Sequence, residues 1–206
     1  MNAAESFSDC PSGGEGAFYL KPAGSTRMME GVHELLPLLQ GKHMLLTGGR
    51  DLRGGPILTF PARSKADKLR PEEIRKVLTY LSSIPCEEAR ELGFSVVIDT
   101  RGTAGSSWKA TLKLLQEHFP AKIYAAYIIK GETFWQKQRT SLGGSKCKFE
   151  VHHIHQEALA KYIDPSQLTP DLDGTLQYDH SQWIDLRMAL EKFFGTLGIF
   201  LNSWRE

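Results

Sequence analysis

Three groups of residues in this 206-residue chain have the types and spacing that could do chemistry. The first is GGRDLRGG at Gly48 to Gly55, glycine-rich enough to raise a phosphate-cradling loop. It lacks the GxxxxGK[ST] pattern, and it lies between two apolar runs, whereas phosphate loops lead from a strand into a helix. It reads as a hairpin connection whose tip, Arg50 and Arg53, is open to an external anion. The second is Asp99, which closes the apolar run FSVVID where a parallel strand would end and where α/β ligand sites lie. No second carboxylate, Lys or His stands at a recognisable spacing to complete an acid/base site. The plainer role is structural: accepting hydrogen bonds from the next loop and pairing Arg101. The third is His152, His153 and His155. His153 and His155 share a face if the strand persists, but HExxH and HxxEH are absent and no third metal ligand is evident. No GxSxG occurs, and no Cys stands in a reactive loop. Cys86, after Pro85, reads as a small packing residue. With no nucleophile, base and orienter to assemble, an enzyme is disfavoured, and no cofactor or metal is implied.

These residues must be carried by an ordered domain. Residues 1–27 are rich in Gly, Ser, Pro and Ala and read as a disordered tail; residues 28–206 read as one domain. GVHELLPLLQ suggests a short helix that Pro37 cuts or bends. HMLLT and PILTFP flank the Gly-rich segment as a β-hairpin. Pro71-Glu72-Glu73 opens an amphipathic helix with Ile74, Val77, Leu78 and Leu81 on one face. FSVVID and KIYAAYIIK read as strands buried on both faces. Between them lies a helix with Leu112, Leu115 and Phe119 on one side. FWQKQRT (134–140) reads as a helix, KFEVHHI as a strand, and 157–163 as a short helix. A long helix from His180 to about Asn202 closes the chain, with Trp183, Leu186, Leu190, Phe193 and Phe194 as its stripe. A hairpin followed by helices alternating with apolar strands predicts an α/β fold, with a mostly parallel sheet covered by helices.

Charge is polarised along the chain. Lys+Arg 25 against Asp+Glu 24 gives +1, which excludes a globally basic nucleic-acid binder. The sum conceals a distribution. From Arg50 to Lys76 there are eight basic residues against four acids, and from Lys130 to Lys148 five against Glu132. From Glu150 to Asp185 seven acids stand against Lys161. The basic segments suit an anionic membrane surface, at ~1 kcal/mol per Lys or Arg; they also read as ordinary solvated faces. Phe134 and Trp135 beside Lys137 and Arg139 make the best single interface segment, although both aromatics suit a core equally. The three cysteines are far apart and odd in number, which argues against a disulfide framework and for a reducing compartment. No apolar run approaches the ~20 residues of a membrane span, and the first residues have neither a secretory n-region nor a myristoylation glycine.

GGRDLRGGPILTFPARS, LTYLSSIP, GFSVVIDTRG, FWQKQRT and DPSQLTPDLDGTLQYDHSQWIDLR together resemble the CRAL-TRIO domain of the Trio and kalirin family of Rho guanine-nucleotide exchange factors. The resemblance runs from about Leu35 to Leu190. It implies a CRAL-TRIO-like fold and a noncatalytic module that binds a phospholipid or phosphoinositide, cytoplasmic and peripheral at membranes. Such a module serves membrane targeting or control of nucleotide exchange. It also implies that the chain is a short isoform or an excised part of a larger exchange factor. Arg50, Arg53, Arg63, Trp135, Lys137 and Arg139 are the expected contacts to lipid headgroups, assigned from charge and position. The alternative is a protein-interaction scaffold with no lipid ligand, its acidic segment contacting a partner or exchange domains of a longer parent chain.

Overall fold

The computed structural model describes residues 31–62, 64, 68–101, 107–131 and 147–203, with backbone alone at 107 and 194–203. The tail expected at 1–27 and the FWQKQRT helix lie outside these residues. Four strands form one sheet in the order β1 (Ile57–Phe60), β2 (Phe94–Asp99), β3 (Ile123–Ile129) and β4 (Glu150–Ile154), and every neighbouring pair is parallel. Among the described residues five α-helices accompany it: α1 (Val32–Gln40), α2 (Pro71–Ser83), α3 (Glu87–Leu92), α4 (Ser107–His118) and α5 (His180–Ser203). Three 3-10 turns, Gln156–Lys161, Pro165–Gln167 and Pro170–Leu172, follow β4. The α/β class with a parallel sheet is the one the alternating pattern predicts.

The sheet has two different faces because side chains alternate along each strand. Leu58, Phe60, Val96, Ile98, Ala126 and Ile128 point toward the helices and pack with Leu35 and Leu39 of α1, Val77 and Leu81 of α2, Leu112 and Leu115 of α4, and Trp183 of α5. Ile57, Val97, Ala125, Tyr127 and Ile129 point the other way and pack against Leu159, Ile163, Leu168 and Leu172 of the 3-10 segment. All six residues of β2 are buried, as a central parallel strand requires. The short helix expected at 157–163 forms as a 3-10 turn.

The structure departs from the sequence expectations in three places. Pro37 does not cut α1, which continues to Gln40. The ring removes one backbone hydrogen bond, worth about 1 kcal/mol. Burial of Val32, Leu35 and Leu39, about 1.5–3 kcal/mol each, outweighs it. The hairpin is reduced to two isolated antiparallel bridges, Leu45 with Thr59 and Arg50 with Pro56. Leu45 exchanges both backbone hydrogen bonds with Thr59, at 2.8 and 2.9 Å. The chain then turns away at Gly48 (φ +91°) toward the amino ends of the strands, so 43–47 never builds a ladder. Phe193, read as part of the α5 stripe, is 59% exposed, and Trp183 with Ile184 supplies the buried contact. Cys86 is half-buried against the core.

Candidate functional site

The glycine-rich segment is an inward-folded loop built on Asp51. The Asp51 side chain is 3% exposed. Its carboxylate accepts the amides of Arg53 (2.8 Å) and Gly55 (2.9 Å), the Ser95 hydroxyl of β2 (2.6 Å) and the Arg53 guanidinium (2.8 Å). The glycines serve close approach. A Cβ at Gly49 would strike the Gln167 carbonyl, and one at Gly55 would sit 2.7 Å from the Gly93 carbonyl oxygen. Gly54 takes φ +88°, which favours glycine. The loop also ties down the 3-10 segment: the Leu52 amide donates to the Tyr162 carbonyl, and the Arg50 amide to Gln167 Oε1.

This geometry decides what the two arginines of the loop do. Arg53 pairs with Asp51, donates to the Leu92 carbonyl (3.0 Å), and lies over the Tyr124 ring at 3.2 Å from its centroid. It holds the loop to the amino ends of β2 and β3, and its side chain is 32% exposed. Arg50 is half-exposed beside it. Arg63, Trp135, Lys137 and Arg139 lie outside the described residues. Leu92 and Tyr124, against which Arg53 lies, are partly exposed (38% and 41%), and Leu52, its neighbour in sequence, is 63% exposed.

The carboxyl ends of the strands carry a second set of polar groups. Asp99 is bonded by Arg101 through its amide (2.9 Å), Nε (3.0 and 3.1 Å) and Nη2 (2.6 Å). Arg101 also donates to the Asp171 carbonyl. The carboxylate is thereby a structural anchor for the loop and the 3-10 segment, the plainer of its two sequence readings. The histidines divide between the two faces. His152 stacks on Tyr127 and against Tyr162, while His153 packs edge-on to Trp108. β4 ends at Ile154, so His155 does not continue the face of His153. Lys130 follows β3 and is 5% exposed, with Nζ 4.3 Å from the Trp108 ring centroid. Sequence reasoning passed over it; the one signal was a lysine ending an otherwise apolar strand. From Tyr124 to Lys130 the strand rises about 20 Å at ~3.3 Å per residue. The Arg50/Arg53 loop and the strand end from which residue 131 departs are therefore at opposite ends of the parallel strands.

A third feature is a shallow crevice of about 10 Å³ between α5 and residues 46–48, walled by Leu46, Ile84, Trp183, Leu186 and Leu190 with Arg187 among them. Among the described residues no group of three His, Cys, Asp or Glu side chains could hold a metal ion, and no helix is long and apolar enough to cross a membrane.

The chain matches the family model of the divergent CRAL/TRIO domain over residues 54–181. It is 37% identical over 163 residues to SEC14 domain and spectrin repeat-containing protein 1 of Homo sapiens, covering 77% of this chain and 23% of that protein. It is 39% identical over 171 residues to the probable guanine nucleotide exchange factor MCF2L2 of Homo sapiens, covering 80% of this chain and 15% of that one. Guanine nucleotide exchange factor DBS of Rattus norvegicus is 35% identical over 162 residues, at 75% and 14% coverage. The chain thus spans less than a quarter of the length of these curated relatives. The matched segment contains the whole parallel sheet, the Asp99–Arg101 anchor and the 3-10 covering, and by that match the chain belongs to the divergent CRAL/TRIO domain family.

Proposed function

We propose that this chain is a noncatalytic lipid-binding module. It meets anionic phospholipid, phosphoinositides among them, peripherally at a membrane, and it serves to localise or regulate guanine-nucleotide exchange within a longer polypeptide. The observation that carries the reading is membership of the CRAL/TRIO family, with relatives named for a SEC14 domain and for nucleotide exchange. Arg50, Arg63, Trp135, Lys137 and Arg139 remain the proposed headgroup contacts. Arg53 contributes only the outer part of a guanidinium already engaged by Asp51. Flotation with liposomes of neutral lipid, with and without phosphoinositide, tests the reading. Binding that rises with phosphoinositide and falls with salt is expected; no binding to either liposome at low salt overturns it.

The exposed Leu92 and Tyr124 against Arg53, with exposed Leu52 next to it in the chain, favour a second reading, a protein-docking module. Tyr, Arg and apolar side chains together at one spot are what protein interfaces concentrate. Leu52→Asp separates the two. Flotation lost in this variant assigns these side chains to the membrane contact, and flotation retained leaves them to a protein partner.

A further inference from the structure

Two ammonium groups and an imidazole surround one indole at the carboxyl end of β3. Lys130 Nζ lies 4.3 Å from the Trp108 ring centroid, and Lys109 Nζ lies 5.5 Å from the same ring. The His153 ring meets it edge-on at 4.8 Å. Trp108 and Lys109 stand in the first turn of α4, Lys130 at the end of β3, and His153 on β4, so three separate elements bring the groups together. On β2 the charged pair Asp99 and Arg101 turns to the opposite face of the sheet, toward Asp171. Burying a cation is unfavourable, and a second cation beside it adds to the cost; contact with an indole offsets part of it. The effect shows in Lys130, which burial and then the charge of Lys109 push down to about 8. His153 is lowered likewise, by burial first and then by Lys130. Such a cluster, at the carboxyl ends of parallel strands, lies where open α/β sheets take their ligands.

We propose that Lys130, Lys109 and His153 form a site for an anionic group, a phosphate above all, held against Trp108. Where the anion is a lipid headgroup, the site rests on the lipid-binding reading; a free phosphate ion offers the same chemistry. The site stands about 20 Å along the strands from the Arg50/Arg53 loop, so it is an anion site separate from the contact proposed for Arg50. An anion here favours the charged form of Lys130 and draws its pKa back up. Binding at pH 8.5 therefore takes up a proton.

Isothermal titration calorimetry of the whole chain at pH 8.5, in two buffers of different ionisation enthalpy, counts that proton. The probes are inorganic phosphate and, separately, phosphatidylcholine vesicles with and without phosphatidylinositol 4-phosphate. The wild type is expected to take up a proton with the anionic vesicles. Lys130→Arg keeps its charge at every pH and is expected to bind without proton uptake. Lys130→Met is expected to weaken binding about tenfold, the loss of one charge-assisted contact. Anionic vesicles bound with equal affinity and equal proton count by all three proteins overturn the site while leaving the lipid-binding reading intact. Phosphate bound with proton uptake but no vesicle binding keeps the site and sinks that reading. Binding of neither probe sinks both.

Discussion

Glu191 of α5 accepts the hydrogen bond of the Val32 amide at 2.8 Å, so the first turn of α1 is capped by a residue 159 positions away. The other oxygen of the same carboxylate accepts the Tyr80 hydroxyl of α2 at 2.7 Å, and Arg187 donates to both Tyr80 and Glu191. At the far end of α1, His180 Nε2 lies 2.7 Å from the Leu39 carbonyl oxygen. One helix therefore places an anion at the positive end of α1 and a donor at its negative end, the arrangement that a helix dipole favours.

Removing the Glu191 carboxylate leaves the Val32 amide and the Tyr80 hydroxyl without their acceptor. Glu191→Ala is expected to lower unfolding stability by about 2–3 kcal/mol and Glu191→Gln by about 1 kcal/mol. Urea denaturation reads both. An unchanged midpoint for Glu191→Ala would show that α1 holds without this cap.

His180 carries a pH dependence of definite sign. Its Nε2 faces a carbonyl and must donate, so Nδ1 accepts from the Tyr178 hydroxyl at 2.6 Å and the ring is neutral. Burial lowers its pKa below the ordinary value. The unfolded chain takes up a proton below about pH 6.5 and the folded chain resists it, so stability present above that pH is lost as pH falls. His153, lowered by burial and Lys130, adds a term of the same sign. His180→Gln is expected to flatten the acid limb of stability against pH. At pH 7.5 it should cost about 1–3 kcal/mol, because the ring stacked on Trp183 is lost and the Tyr178 hydroxyl loses its Nδ1 partner. A variant with the wild-type slope would remove His180 from this account.

Lys130 contributes with the same sign, in the alkaline range. Its folded pKa, about 8, is below that of an ordinary lysine. Between about pH 8 and 10.4 the unfolded state holds the proton that the native state has released, so stability rises with pH across that window. Lys130→Met is expected to remove the rise without loss of stability at pH 7. Chemical denaturation at pH 7, 8.5 and 10 compares the two proteins, and parallel profiles would contradict a depressed lysine.

The Gly-rich loop is expected to fail through Asp51 more than through either arginine. Asp51→Ala strands the amides of Arg53 and Gly55, the Ser95 hydroxyl and a guanidinium, at about 3–5 kcal/mol. Arg50→Ala keeps the Arg50 amide and its bond to Gln167, and should cost under about 1 kcal/mol. Thermal melts of the two variants rank them; equal losses would mean the loop is not organised by Asp51.

What was legible in the sequence is what depends on near neighbours. The buried strands 94–99 and 123–129 announce themselves as apolar runs. The helix at 71–83 does so by its Pro-Glu-Glu opening and 3.6-residue spacing. The Asp99–Arg101 pair was legible because the partners are two residues apart. Asp51 was not, because its decisive partner, Ser95, is 44 residues away, and without that contact GGRDLRGG reads as an open hairpin tip. The fate of Arg53 followed from the same contact, which brings it over Tyr124. Lys130 escaped notice because nothing local tells a strand-end lysine that reaches water from one turned onto a tryptophan of the next helix.

The strand order β1-β2-β3-β4 has a consequence for the side of the sheet opposite the helices. Sequential parallel strands joined by crossovers of the one common hand put α2 and α4 on the same face. The other face is roofed by 3-10 turns whose own hydrogen bonds close within a few residues. That roof is fastened to its surroundings where the Leu52 amide meets Tyr162, the Arg50 amide meets Gln167, and Arg101 meets the Asp171 carbonyl. The helical side is a wall that cannot part without dismantling the core. The turned side is a hatch with three latches among the described residues, and lifting it would bare Val97, Tyr127 and Ile129 while every rung of the parallel ladder stayed in place.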